Sequence, residues 1–153
     1  MTVYDIDKLM AQTRSLAAEY RAATGQVLPV SSELAIYDAC RHLGLRAASE
    51  HRAGVDVVGE QGAYQIKSRV CFDPKKRGYR LGRVNTKGDW THVLLVVYDA
   101  RYEPLEIWQA ERKVVEEALT QARPNPRGSM TIEKFKAIGH CVWRRAAENT
   151  NEC

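Results

Sequence analysis

A carboxylate, an amide and an ammonium come together in the stretch GVDVVGEQGAYQIKSR, residues 54 to 69. Both halves alternate as strands do. Val55 and Val57 fall on one face with Asp56 on the other, and Gln65, Lys67 and Arg69 fall opposite Tyr64, Ile66 and Ser68. With Glu60 and Gln61 as the turn, pairing sets Asp56 across from Gln65, so that the three polar groups converge. A loop of Glu60 to Gly62 instead sets Asp56 across from Ile66 and breaks the cluster. The converged set would hold a hard divalent cation such as Mg²⁺ or Mn²⁺ through oxygen and place a lysine beside its bound water. Taken singly, Asp56 reads equally as a surface aspartate near a turn, and Lys67 as a lysine reaching from a half-exposed strand into water.

The elements that must position this pair are legible on either side. Residues 5–22 carry Ile6, Leu9, Met10, Thr13, Leu16, Ala17 and Tyr20 at helical steps, with Asp5 as N-cap. This stripe is expected to pack on the domain, with a homodimer contact as the alternative. Gly25 and Pro29 break the chain. A second helix runs from a Ser31 or Ser32 cap to Leu43 and stops at Gly44, burying Ile36, Ala39 or Cys40, and Leu43. Glu33 lies in its first turn, where the helix dipole favours a carboxylate; its functional reading is an added metal or metal-water ligand. Residues 45–51 form a first short strand, with His51 near its end.

Beyond the pair, residues 69 to 89 change character. Arg69, Lys75, Lys76, Arg77, Arg80, Arg83 and Lys87 face only Asp73 and Asp89 as counter-charges, with Gly78, Gly82 and Gly88 among them. The stretch predicts a pliable loop that meets phosphates through charge and bases through Phe72 and Tyr79. A solvated insertion is the plainer reading. Val93 to Val97 is continuously apolar, as in a central strand covered on both faces. Pro104 to Trp108 follows as a strand with Leu105 and Ile107 on one side. A helix over 111–122 has Val114, Val115, Ala118 and Leu119 inward, PNPRG (124–128) interrupts, and a helix from Thr131 to Ile138 ends at Gly139. Lys134 and Lys136 are expected on its wet side, HCVW as a short closing strand, and residues 144–153 as a frayed tail.

The chain of 153 residues suffices for one domain with a proper core. Its net charge of +4 favours an acidic partner. Four scattered cysteines, Cys40, Cys71, Cys141 and Cys153, without metal-ligand spacing, predict a reduced, cytoplasmic protein, and no apolar run predicts a membrane span. His42, His51, His92 and His140 form no HExxH or HNH-like grouping. There is no GxSxG and no Gly-rich Lys-Ser/Thr loop, which argues against zincin, serine-hydrolase and P-loop chemistry.

Asp56, Gln65-Ile66-Lys67 and the upstream Glu33 resemble the active-site pattern of the PD-(D/E)XK nuclease superfamily over roughly residues 31 to 108. Val55 stands where the name-giving proline would be, and Gln65 where glutamate is usual, as in the Mrr-like branch. The stretches RLGRVNTKGDW, YEPLEIWQAERK and SMTIEKFKAIGHCVW also resemble small bacterial or phage members of the superfamily. The resemblance implies an α/β (α+β type) restriction-endonuclease-like fold, with a central mixed sheet of about four to five strands flanked by helices. It implies one domain over 1–153: an N-terminal helix (1–23), a catalytic core (31–108), C-terminal helices (109–143) and a tail. It further implies a Mg²⁺-dependent endonuclease acting on double-stranded or branched DNA. Asp56, Gln65, the Ile66 carbonyl and Glu33 would be metal ligands, and Lys67 the catalytic lysine. Two rivals are carried: a non-catalytic nucleic-acid-binding protein on the same fold, and an unrelated enzyme or interaction domain in which Asp56 and Lys67 point apart.

Overall fold

The computed structural model describes residues 5–121 and 129–146; the expected break at 124–128, most of the expected tail and Cys153 lie outside them. In chain order the elements are α1 (Ile6–Thr24), α2 (Ser31–Leu43), β1 (Arg46–Arg52), β2 (Val55–Gly59), β3 (Gly62–Val70), β4 (His92–Tyr98), β5 (Pro104–Glu111), α3 (Arg112–Gln121), α4 (Ile132–Ile138) and β6 (His140–Arg144). Among the described residues this is an α+β arrangement with a six-stranded mixed sheet in the order β1-β2-β3-β4-β5-β6. All neighbouring pairs are antiparallel except β3 and β4, which run parallel. The sheet exceeds the four to five strands expected, because HCVWR forms a full edge strand on β5.

The sheet separates two apolar layers. On one side Leu34, Ala35 and Ala39 of α2 pack with Ala17 of α1 against Val57, Tyr64, Ile66, Leu94, Val96 and Ile107. On the other, Val115 and Leu119 of α3 and Ile132 and Phe135 of α4 pack against Ala63, Val93, Leu95 and Ala110. β4 contributes to both layers and is buried from Val93 to Tyr98, as its unbroken apolar run requires. Leu105 and Ile107, expected on one side of β5, go to opposite layers. The β4–β5 register shifts between Val97 and Tyr98, which breaks the alternation along β5.

The helix ends follow local chemistry, with one exception. Asp5 caps α1 by accepting from the Lys8 amide, and Gly25 and Gly44 end α1 and α2 in left-handed backbone. The exception is the start of α2, where Val30 is the N-cap and no side chain caps the helix. Ser31 instead lies 3.3 Å, oxygen to oxygen, from Ser68 on β3. The buried face of α2 is also turned from the expected one and centres on Leu34, Ala35, Asp38 and Ala39. Three of these four are apolar and join the α2 layer, and the fourth, Asp38, is a buried charge.

Asp38 is 2 % exposed. Arg14 of α1 donates to both its carboxylate oxygens, at 3.0 and 2.8 Å, and the Tyr98 hydroxyl donates to Oδ2 at 2.6 Å. Arg14 also donates to the Tyr102 carbonyl. Burial, reinforced by the Asp38 charge, holds the Tyr98 hydroxyl well above the usual phenol range. This cluster docks α1, whose apolar stripe is largely left open. Ile6, Leu9, Leu16 and Tyr20 are 56 %, 39 %, 58 % and 37 % exposed, and only Ala17 is buried. The stripe therefore packs on the domain only in part, through Ala17 and Met10 against the α2 layer.

Candidate active site

Hairpin register decides whether the polar groups of β2 and β3 can meet. Val57 pairs with Tyr64, Val58 with Ala63 and Gly59 with Gly62, leaving Glu60 and Gln61 as a two-residue turn. The alternative Glu60–Gly62 loop is excluded. One step further the same register sets Asp56 across from Gln65, but there the backbone ladder gives way to a side chain. Asp56 Oδ2 accepts from the Ile66 amide at 2.8 Å, replacing a strand carbonyl. The alternation of β2 breaks at the same residue. Val57 belongs to the α2 layer and Val55 to the α3/α4 layer, so these two valines do not share a face as expected. Asp56 is half-buried, and its Oδ1 makes no hydrogen bond to a described residue.

Lys67 lies within electrostatic reach of Asp56. Its partial burial pulls the ammonium below its ordinary pKa of 10.5, and the Asp56 charge opposes that pull. Its Nζ donates to the Arg83 carbonyl at 2.5 Å. Gln65, 3 % exposed, makes a reciprocal pair with Asn85: Nε2 donates to the Asn85 carbonyl and Oε1 accepts from the Asn85 amide, both at 2.9 Å. An amide side chain on β3 thus behaves as a further rung of sheet for the chain beyond it. Asp56, Gln65 and Lys67 are brought together as the spacing predicts, but two of the three hold the 83–85 backbone.

Glu33 is exposed and forms no ion pair with Lys67. Its helix covers the layer of Tyr64 and Ile66, whereas Gln65 and Lys67 share the alternate side of β3 with Ala63. His51 is likewise exposed on β1, without a described partner near the site.

The basic stretch is not the pliable loop expected. Tyr79, Leu81, Val84 and Trp90 are 9 %, 2 %, 2 % and 1 % exposed and belong to the α3/α4 core. Leu81 N donates to Met130 O and Ile132 N to Tyr79 O, closing a short bridge between Arg80 and Thr131. Apolar residues at 79, 81 and 84 with exposed neighbours at 80, 82 and 83 were the signal, hidden by the density of charge. The aromatic rings are spent inside. Tyr79 is buried, with Arg69 and Lys76 over its ring, and Phe72 packs edge-on against Tyr102 under Arg21. Base stacking on these two rings is therefore ruled out in this arrangement. Arg80 is turned to Ser129, donating to its carbonyl and hydroxyl, so it is not among the open cations. Arg69, Lys75, Lys76, Arg77, Arg83 and Lys87 are exposed and form no salt bridge with a described residue. On α4, Lys134 is exposed as expected, but Lys136 pairs with Glu106 and lies over Trp108.

No family model matches the chain, and no curated protein matches it. The reading of the site therefore rests on its own geometry and on the pattern of residues. A cleft of about 790 Å³ between Asp99, Glu103, Glu106, Arg101, Arg144 and Arg145 lies elsewhere, and its charges satisfy each other through Arg145–Asp99 and Arg144–Glu106. It presents no group poised for reaction. No described helix is long and apolar enough to cross a membrane.

The residue that sequence reasoning missed is Arg112, at the start of α3. Its NH1 donates to the Gly88 and Trp90 carbonyls at 2.6 and 3.1 Å, its NH2 donates to Thr86 O at 2.8 Å, and Nε pairs with Glu116 at 2.6 Å. The guanidinium also stacks over Trp90, 4.6 Å from the ring centre. Close approach at the β1–β2 turn completes the hold. A Cβ on Gly88, whose φ is +84°, would lie 1.8 Å from the Ala53 carbonyl oxygen. Gly88→Ala should thus destabilise the protein by more than the ~1 kcal/mol of left-handed backbone strain alone, because backbone rather than a side-chain tip must move. Thermal denaturation checks this; an unchanged melting temperature would contradict it.

Proposed function

We propose that this chain is a divalent-metal-dependent nuclease that hydrolyses DNA phosphodiester bonds on a restriction-endonuclease-like fold. The observation that carries the reading is the Asp56–Lys67 pair, a half-buried carboxylate with one oxygen fixed by Ile66 N–H and the other unengaged, beside a lysine that burial makes less basic. The described residues contain no group of three His, Cys, Asp or Glu side chains fit for a metal. A Mg²⁺-type ion needs no such group, since it takes one or two carboxylates and keeps water and substrate phosphate. Asp56 Oδ1 would hold it, with the second lone pair of Gln65 Oε1 available alongside. A bound ion of this kind supplies charge neutralisation at the phosphate and a more acidic water.

The protein's own contribution is positional. Lys67 would exchange the Arg83 carbonyl for the attacked phosphate or its water, and its lowered pKa suits it to give up a proton nearer neutrality. Glu33 has no part in this scheme. The exposed cations of the 69–87 stretch would hold the backbone of the nucleic acid.

A second reading, a non-catalytic nucleic-acid-binding protein on the same fold, is favoured by the engagement of Gln65 and Lys67 with the Asn85 and Arg83 backbone. Ion binding separates the two. Calorimetric titration with Mg²⁺ or Mn²⁺ should give saturable heat in the wild type and none in Asp56→Asn. Absence of heat in the wild type, with DNA present as well, would favour the binder.

A further inference from the structure

The chain from Arg83 to Trp90 runs beside the hairpin, from Lys67 on β3 to the Ala53–Gly54 turn before β2. Five of its eight carbonyls are taken by a charged or amide side chain from elsewhere: Arg83 by Lys67, Asn85 by Gln65, and Thr86, Gly88 and Trp90 by Arg112. Arg52 on β1 adds a 2.6 Å ion pair to Asp89. A segment without helix or strand of its own is thereby fixed at five carbonyls, while the side chains of Arg83 and Lys87 are left exposed and without a carboxylate. Lys87 sits near the hairpin's start, since a Cβ on Gly54 would lie 2.9 Å from its carbonyl oxygen. Arg83 sits at Lys67. Between these two ends Asn85 is held by Gln65, which the hairpin register sets across from Asp56.

A solvated insertion has no use for such fixing, which costs conformational entropy at every ordered residue. A surface that must meet a regular array of charges does, because cations held in place lose less freedom on binding. We propose that Arg83–Trp90 is a preformed phosphate-binding wall for one nucleic-acid strand, and that Arg112 is the positioning residue that keeps Arg83 and Lys87 in place beside Asp56. The proposal rests on the DNA reading above and assigns the strand's backbone to a specific edge of the site. The same carbonyl pattern explains why Gln65 is an amide: glutamate would keep the acceptor for Asn85 N–H and lose the donor to Asn85 O.

The test is binding of a short DNA duplex in EDTA across a salt series, so that no cleavage is needed. Arg83→Gln/Lys87→Gln should shallow the dependence of log affinity on log salt by about 2, about 1 for each phosphate no longer neutralised. Arg112→Met should shallow it by a similar amount although its own side chain meets no DNA, with Arg112→Lys between. Adding Arg112→Met to the double variant should cost no further affinity. Hydrogen exchange should show the 86–90 amides opening in Arg112→Met. An Arg112→Met protein that melts earlier but keeps the wild-type salt slope would reduce Arg112 to a stability role and overturn the proposal. So would an unchanged slope in the double variant, which leaves Arg112 in place and so does not depend on that variant folding. Equal affinity for polyglutamate would overturn it in favour of an acidic protein partner. Absence of metal-dependent cleavage by the wild type, with these binding results intact, would strike the nuclease reading and leave the wall standing.

Discussion

An Asp56→Asn protein should fold, bind DNA and cut it at least ~10²-fold more slowly than the wild type, the scale seen when one preorganised electrostatic group is removed from a reacting site. The substitution is informative because it separates the two jobs of Asp56. An asparagine Oδ1 still accepts the Ile66 amide that Asp56 Oδ2 now holds at 2.8 Å, so the end of the hairpin keeps its bond. What is lost is the charge of the carboxylate. That charge also raises the Lys67 pKa against the effect of burial, so removing it lowers that pKa further. In metal-free protein, the Lys67 ammonium of Asp56→Asn should therefore titrate at lower pH than that of the wild type. An NMR titration of the lysine side chains of both proteins in EDTA checks the sign, and a shift to higher pH would contradict the coupling.

The largest stability effect should come from the far side of the sheet. Asp38→Ala should cost about 3 kcal/mol, because it leaves the buried Arg14 only the Tyr102 carbonyl and a 3.8 Å ion pair to the exposed Glu103. The Arg14 side chain is 11 % exposed, and its bonds to Asp38 are 2.8 and 3.0 Å long. Tyr98 loses the acceptor for its hydroxyl at the same time. The double variant Arg14→Met/Asp38→Leu should recover much of the loss, since an apolar pair no longer strands a charge. Urea denaturation of the two variants measures both effects. A loss under ~1 kcal/mol for Asp38→Ala would show that α1 is held by something else.

How far the chain could be read from its residues depended on how local the cause was. The two-residue turn at Glu60-Gln61 was one of two that the residues allow, and the Asp56–Gln65 register follows from it. The helix stop at Gly44 and the buried run of β4 are equally local. The rotation of α2 was not, because Asp38 becomes an inward residue only when Arg14, from another helix, lies against it. The basic stretch misled for a related reason. Its charges are read at once, whereas Tyr79, Leu81 and Val84 act as anchors only because α4 and the sheet wait beneath them. Arg112 looked like an ordinary first-turn residue of α3. Its role arises from three carbonyls more than twenty positions earlier in the chain, which no spacing rule connects.

Cleavage of mixed plasmid and branched DNA with Mg²⁺ or Mn²⁺, wild type beside Lys67→Met, tests the central claim most directly. The account predicts metal-dependent nicking or cutting by the wild type, lost in Lys67→Met while salt-sensitive DNA binding persists. Cutting of equal strength by Lys67→Met would contradict the assignment of Lys67. No cutting by either protein, with DNA binding intact, would contradict the nuclease reading and leave a DNA-binding protein whose Gln65 and Lys67 serve to hold the 83–90 wall.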